Sequence, residues 1–221
     1  MFVRTLFTYG GFMYRPEELF NLSIKPRIND ISLSILQEYY NMFLFPFIYT
    51  YSITDNYEKK KIQLHFDDIA FCHLLGIESI AKGHVKYNEL SNYRGKKGWN
   101  NIKSGKINFQ HLRDLNNKKF KNIKTKFVYF YLIPNLIEKP LAVKFDGNMV
   151  SPPVKIHCEI LFYSSYNNSI VHLGIDKNKD DLFYYPRTFF VEKLSSKNID
   201  DIYTINQIHI SAKKENRIIL L

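Results

Sequence analysis

Cysteine is scarce in this chain: 221 residues hold two, Cys72 and Cys158. Neither has a second cysteine nearby or a metal-ligand spacing, so a disulfide scaffold and a zinc site are both disfavoured. Each is expected to be a small core residue in a reducing compartment. Long apolar runs are also missing. The densest, Met42 to Tyr51, is broken by Pro46 and falls short of the ~18 residues that a membrane span needs. The N-terminal stretch lacks the continuous apolar core of a signal peptide. A cytoplasmic protein with no membrane partner is therefore expected. There is no HExxH, Walker loop, GxSxG or paired-cysteine motif, which removes the commonest signatures of zinc hydrolases, NTPases and serine hydrolases.

Acid is the scarcer charge. Asp and Glu number 21 against 31 Lys and Arg, a formal net charge of +10. A field of that sign favours polyanions, although a Lys-rich solvated surface gives the same number. The 18 Phe and 16 Tyr, with abundant Asn, Ile and Lys, fit an AT-rich coding bias and are not taken as a functional signal.

Residues 1–60 read as an N-terminal helical extension, with Asp30 as an N-cap and a helix running to Pro46. Residues 61–221 read as one further domain. Glu58 to Leu64 is a short strand ending in His65. FDDIAFCHLLGI is a helix that Asp67 or Asp68 caps and Gly76 ends. A polar stretch follows, read as a basic loop carrying Lys82, Lys86, Arg94, Lys96, Lys97 and Lys103. Helices are expected from Asn108 to about Leu115 and from Phe120 to Leu136. After Pro140 the period changes to two. Strands are expected at 141–145, 154–163, 169–176, 182–192 and 205–212, joined by short turns. The fold class is therefore α+β: N-terminal helices followed by a four- to five-stranded antiparallel sheet.

Alternation along those strands sorts the polar residues. Ile156, Cys158, Ile160 and Phe162 share one face, and Lys155, His157, Glu159 and Leu161 the other. With His172, His209 and either Arg187 or Thr188, the second face would gather acid–base groups and cations. Cleavage of RNA at the 2′-hydroxyl needs a base for that proton, an acid for the leaving 5′-oxygen and a cation for the charged phosphorane. Any half-buried antiparallel sheet also carries polar residues on its open face. His73, among apolar residues on a short helix, reads on spacing alone as a buried core histidine. His65, His84 and His111 have no partner spacing.

The run Phe71 to Ile77, FCHLLGI, resembles the F-x-H-L-x-G-[LI] motif of a phage-associated nuclease family, the fourth such group in the barnase/EndoU/colicin/RelE-like superfamily. NIKSGKI from Asn101, KIHCEIL from Lys155 and YPRTFF from Tyr185 agree with it in order and type. The resemblance covers roughly Ile62 to Ile210. It implies a helical layer followed by a four- or five-stranded antiparallel sheet, and RNA cleavage that needs no metal or other cofactor. His73, Lys155 and Thr188 fall on motif positions, and Arg187 neighbours Thr188. His157 stands where the pattern leads to a different polar residue. The implied site is thus His73, Lys155, His157, Arg187 and Thr188. The implied activity is endoribonuclease cleavage by general acid–base transesterification, in conflict between phage and host. RNA, tRNA among the candidates, would be the partner, and the basic loop would track its backbone. An inhibitor or immune-complex protein would be a second partner. A non-catalytic RNA-binding protein, or an inhibitor of a nucleic-acid-guided immune complex, is the competing reading. A toxin-like effector masked by a partner is a third. A DNA-acting enzyme is disfavoured, since the sequence offers no carboxylate cluster for two metals.

Overall fold

The structure, a computed structural model, describes residues 13–55, 58–147, 156–177, 182–194 and 207–217. Helix α1 (Pro16–Phe20) is followed by α2 (Leu33–Phe43). The α2 cap is Ser32, whose hydroxyl accepts from the Ile35 amide at 3.2 Å. Asp30, expected in that role, instead accepts from the Arg27 amide at 2.9 Å.

The chain then turns to sheet earlier than expected. Phe47–Asp55 forms strand β1, which pairs with β2 (Glu58–His65) on one side. Its period-two pattern buries Tyr49, Tyr51 and Ile53. Helices α3 (Asp68–Leu74) and α4 (Ile77–Ala81) are joined by Gly76, at φ +70°. The stretch read as a basic loop is largely helical, with a 3-10 segment over Tyr87–Tyr93 and α5 over Gly95–Lys103. Tyr93, Trp99 and Ile102 bury its inner side. The long helix α6 (Phe109–Tyr129) starts at the Asn108 cap and kinks at Asn116. There the Asn116 carboxamide oxygen accepts from the Lys119 amide at 3.0 Å and restarts the helix. A 3-10 turn at Phe130–Leu132 leads into α7 (Ile133–Glu138).

The remaining strands are β3 (Leu141–Lys144), β4 (Ile160–Tyr166), β5 (Ser169–Asp176), β6 (Tyr185–Lys193) and β7 (Gln207–Asn216). Among the described residues the α+β fold thus has seven α-helices and one seven-stranded antiparallel sheet, more strands than the four to five expected. The sheet order is β2-β1-β7-β3-β4-β5-β6. β7 joins its halves, pairing with β3 through Gln207 and Ile208 and with β1 from His209 onward. The two edge strands curl round until they touch. The Tyr184 amide donates to Gln63 O at 2.7 Å, and the His65 amide to Tyr184 O at 3.0 Å.

The concave face packs on the helices around Tyr40, Phe66, Phe71, Trp99 and Phe130, whose rings meet mostly edge to face. Burial pushes the buried tyrosine phenols up. Tyr39, Tyr40 and Tyr51 keep their hydroxyls satisfied by donating to the carbonyls of Tyr131, Asp67 and Ile137 at 2.7, 2.6 and 3.0 Å. Both cysteines are free and buried, as expected, and burial pushes their thiols up to about 12.

The convex face is only in part the open polar surface that alternation suggested: His157, Glu159 and His209 are exposed, but its centre is apolar. Val143, Cys158 and Leu161 form a second apolar cluster there, with Phe145, Ile156, Tyr163 and Phe190 against it. His172 lies on this face but is buried, its ring stacked on Phe190 at 4.3 Å. The expected grouping of Ile156, Cys158, Ile160 and Phe162 also breaks. β4 begins only at Ile160, because the chain bends at Glu159, whose amide donates to Ile175 O at 3.0 Å. Ile156 and Cys158 therefore fall on the convex side, Ile160 and Phe162 in the main core.

Candidate active site

Where the sheet edges meet, the ends of several elements converge. β2 ends at His65, and Asp67 leads into α3. Tyr184 bridges to Leu64 just ahead of β6, which starts with Tyr185, Pro186 and Arg187, and Arg217 follows β7. His65, Asp67, Ile69, Ala70, His73, Phe183, Tyr184, Tyr185, Pro186, Arg187 and Arg217 line one open cleft of about 620 Å³.

His73 projects from the last turn of α3 and is exposed at the cleft, not buried in the core. Its Nε2 lies 2.9 Å from the carbonyl oxygen of Arg187. A carbonyl can only accept, so Nε2 donates, and in the neutral ring the lone pair sits on Nδ1. That carbonyl is available because β6 bulges here. Gly174 faces Thr188 and Ile175 faces Pro186, so Arg187 has no partner across the ladder. Bulges of this kind break the ladder and re-aim a side chain, and the Arg187 guanidinium stands exposed.

Arg217 supplies a second guanidinium. Its Nη1 lies 2.9 Å from Asp67 Oδ1, and its backbone amide donates to Pro46 O at 2.7 Å. Asp67 occupies the α3 N-cap position, yet its side chain makes no capping bond. Asp68, in the first turn, pairs with Lys96. The acidic pair thus anchors two cations, where capping was expected.

His65 stacks on Phe183 with ring centroids 4.0 Å apart and planes 22° apart. Its Nε2 is shielded from solvent, with no hydrogen-bond partner among the described residues. Burial first, then the Arg217 charge, holds the imidazole below its ordinary pKa, against an opposing pull from Asp67.

A family model for phage-Barnase-EndoU-ColicinE5/D-RelE like nuclease4 matches residues 34–220, which include every residue of the cleft. The chain belongs to that nuclease family. No curated protein and no solved structure matches it. A nuclease acts on nucleic acid, so the family fixes the class of substrate.

Of the expected site residues, the cleft of this nuclease-family chain brings His73 and Arg187 together. Thr188 turns the other way, its methyl within 2.7 Å of where a Cβ on Gly174 would stand, beside Cys158. His157 is exposed ahead of β4 and does not line the cleft. Lys155 lies outside the described residues. Glu159 is tied to Lys60 at 3.3 Å, and Lys60 also donates to the Tyr184 hydroxyl at 3.1 Å. Lys82, Lys86, Lys97 and Lys103 are exposed. Arg94 pairs with Glu78 at 3.0 Å. Arg217 escaped sequence reasoning because it reaches Asp67 through the pairing of β1 with both β2 and β7, and His65 because it has no partner spacing in sequence. Among the described residues no three His, Cys, Asp or Glu side chains gather as metal ligands, and no helix is long and apolar enough to cross a membrane.

Proposed function

We propose that the chain is a ribonuclease that cleaves RNA by general acid–base transesterification in this cleft, without a metal. The observation that carries the reading is the pinned His73 in a cleft shared with Arg187 and Arg217. In the neutral ring, Nδ1 takes the proton of the 2′-hydroxyl as that oxygen attacks the adjacent phosphorus. The exposed Arg187 guanidinium neutralises the pentacovalent phosphorane, with Arg217, held by Asp67 at 2.9 Å, beside it. The 5′-oxygen leaves, and the imidazolium formed in the first step is available to protonate it. The products are a 2′,3′-cyclic phosphate and a free 5′-hydroxyl.

Lys155, on a motif position of the family resemblance, is assigned to phosphate binding; Thr188 and His157, which the resemblance also implied, lie away from this cleft and are given no step in it. Lys82, Lys86, Lys97 and Lys103 would track the RNA backbone, with Arg94 and Lys96 already engaged by acidic partners. The phage association in the family description supports a role in conflict between phage and host; tRNA is one candidate among the RNA substrates to be tried.

The test is incubation with end-labelled RNA in EDTA, beside the same RNA carrying 2′-deoxyribose throughout. Cleavage of the first alone, leaving cyclic phosphate ends, supports the reading. Cleavage of both would overturn it. RNA binding without cleavage would point to the non-catalytic binder.

A further inference from the structure

Phe183 is an oddly placed aromatic residue. It is 39% exposed, in a chain that buries most of its large rings. It is not a stray surface residue, because it lines the cleft that holds both guanidiniums. One of its faces is taken. His65 lies under it, nearly parallel, with centroids 4.0 Å apart. The support is rigid, since the His65 amide donates to Tyr184 O and the Tyr184 amide to Gln63 O, closing the sheet directly beside the pair. The exposed part of Phe183 is therefore its other face and edge. Ile69 of α3, 58% exposed, lines the same cleft. A flat, backed aromatic face beside the exposed Arg187 guanidinium, with Arg217 paired to Asp67 in the same cleft, resembles the combination that single-stranded nucleic acid uses: cations hold the backbone while a base stacks.

We propose that Phe183 is a stacking platform for an unpaired nucleobase next to the phosphate held by Arg187 and Arg217. The assignment rests on reading the cleft as the RNA site. Its consequence is that the enzyme acts on single-stranded RNA or on flipped-out loop nucleotides. A base held in a duplex has no free face to offer. Stacking on Phe183 tolerates any base, because every base has a π-face. His65 serves as the underside of the platform.

The experiment uses single-stranded RNA carrying 2-aminopurine at each position in turn, titrated with the full chain. Wild-type protein should quench the probe at one position, and Phe183→Leu, which keeps an apolar side chain over His65, should not. The KM for single-stranded RNA should rise roughly 10-fold in Phe183→Leu, and Phe183→Trp should restore both signals. Thermal melting of each variant shows whether the fold is kept. Quenching that Phe183 controls, without cleavage, would leave the platform standing and sink the ribonuclease reading. Undiminished quenching and KM in a folded Phe183→Leu, or equal KM for duplex and single strand in the wild type, would overturn the platform.

Discussion

His73 and His172 show how one residue type takes opposite roles from its surroundings. His73 stands exposed with one nitrogen fixed to a backbone carbonyl. His172 is 1% exposed, and burial lowers its pKa from 6.5 to about 3, against a hydrogen bond to the Phe190 backbone. Below pH 6.5 the unfolded chain takes up a proton that the folded imidazole refuses. Stability from this group is therefore complete above pH 6.5 and lost as pH falls towards about 3. Between pH 7 and pH 5 the loss is roughly 2 kcal/mol. Urea titrations at the two values should show that drop in the wild type, and a drop smaller by about that amount in His172→Leu. Equal drops would mean that His172 is not the group responsible. Period-two reading put His172 on the correct face of β5 but could not tell that Phe190 and Tyr163 cover that face.

At the scale of elements, the segment from Lys82 to Gly105 was the hardest to read. Its charges and its glycines at 83, 95, 98 and 105 look like a loop. Gly98 has a packing reason. A Cβ there would stand 2.8 Å from Cys72 Sγ and 2.8 Å from the Tyr93 carbonyl carbon. Its absence lets α5 lie close on α3, the helix that carries His73. Gly98→Ala is expected to lower stability by about 1–3 kcal/mol and to reduce cleavage by displacing α3. Thermal melts beside cleavage rates check this, and an unchanged melting temperature would show that α5 can yield. Other elements were legible for plain reasons. β5 has the bounds that alternation gave it, and the break in α6 falls at Asn116, between the two expected helices. β1 was missed because Met42 to Tyr51 reads as one apolar run. Only the tyrosine hydroxyls, satisfied by distant carbonyls, let those side chains point inward as strand residues.

For the whole molecule, the site exists because a seven-stranded sheet curls until its edges meet. That closure sets His65 beside Phe183, while the pairing of β1 with both β2 and β7 brings Arg217 to Asp67, residues 150 positions apart in sequence. No local pattern carries such a pairing, so half of the cleft was invisible in the sequence. His73 was visible only through a short motif, Arg187 through a motif and through strand alternation, and it is the bulge in β6 that joins them. The account turns on His73 as the proton-transfer group. The most direct measurement is the rate of RNA cleavage in EDTA by wild type and by His73→Ala, at enzyme concentrations that saturate RNA binding in both. The account predicts a fall of about 10²–10⁴-fold with binding retained. Equal rates for two folded proteins would contradict it.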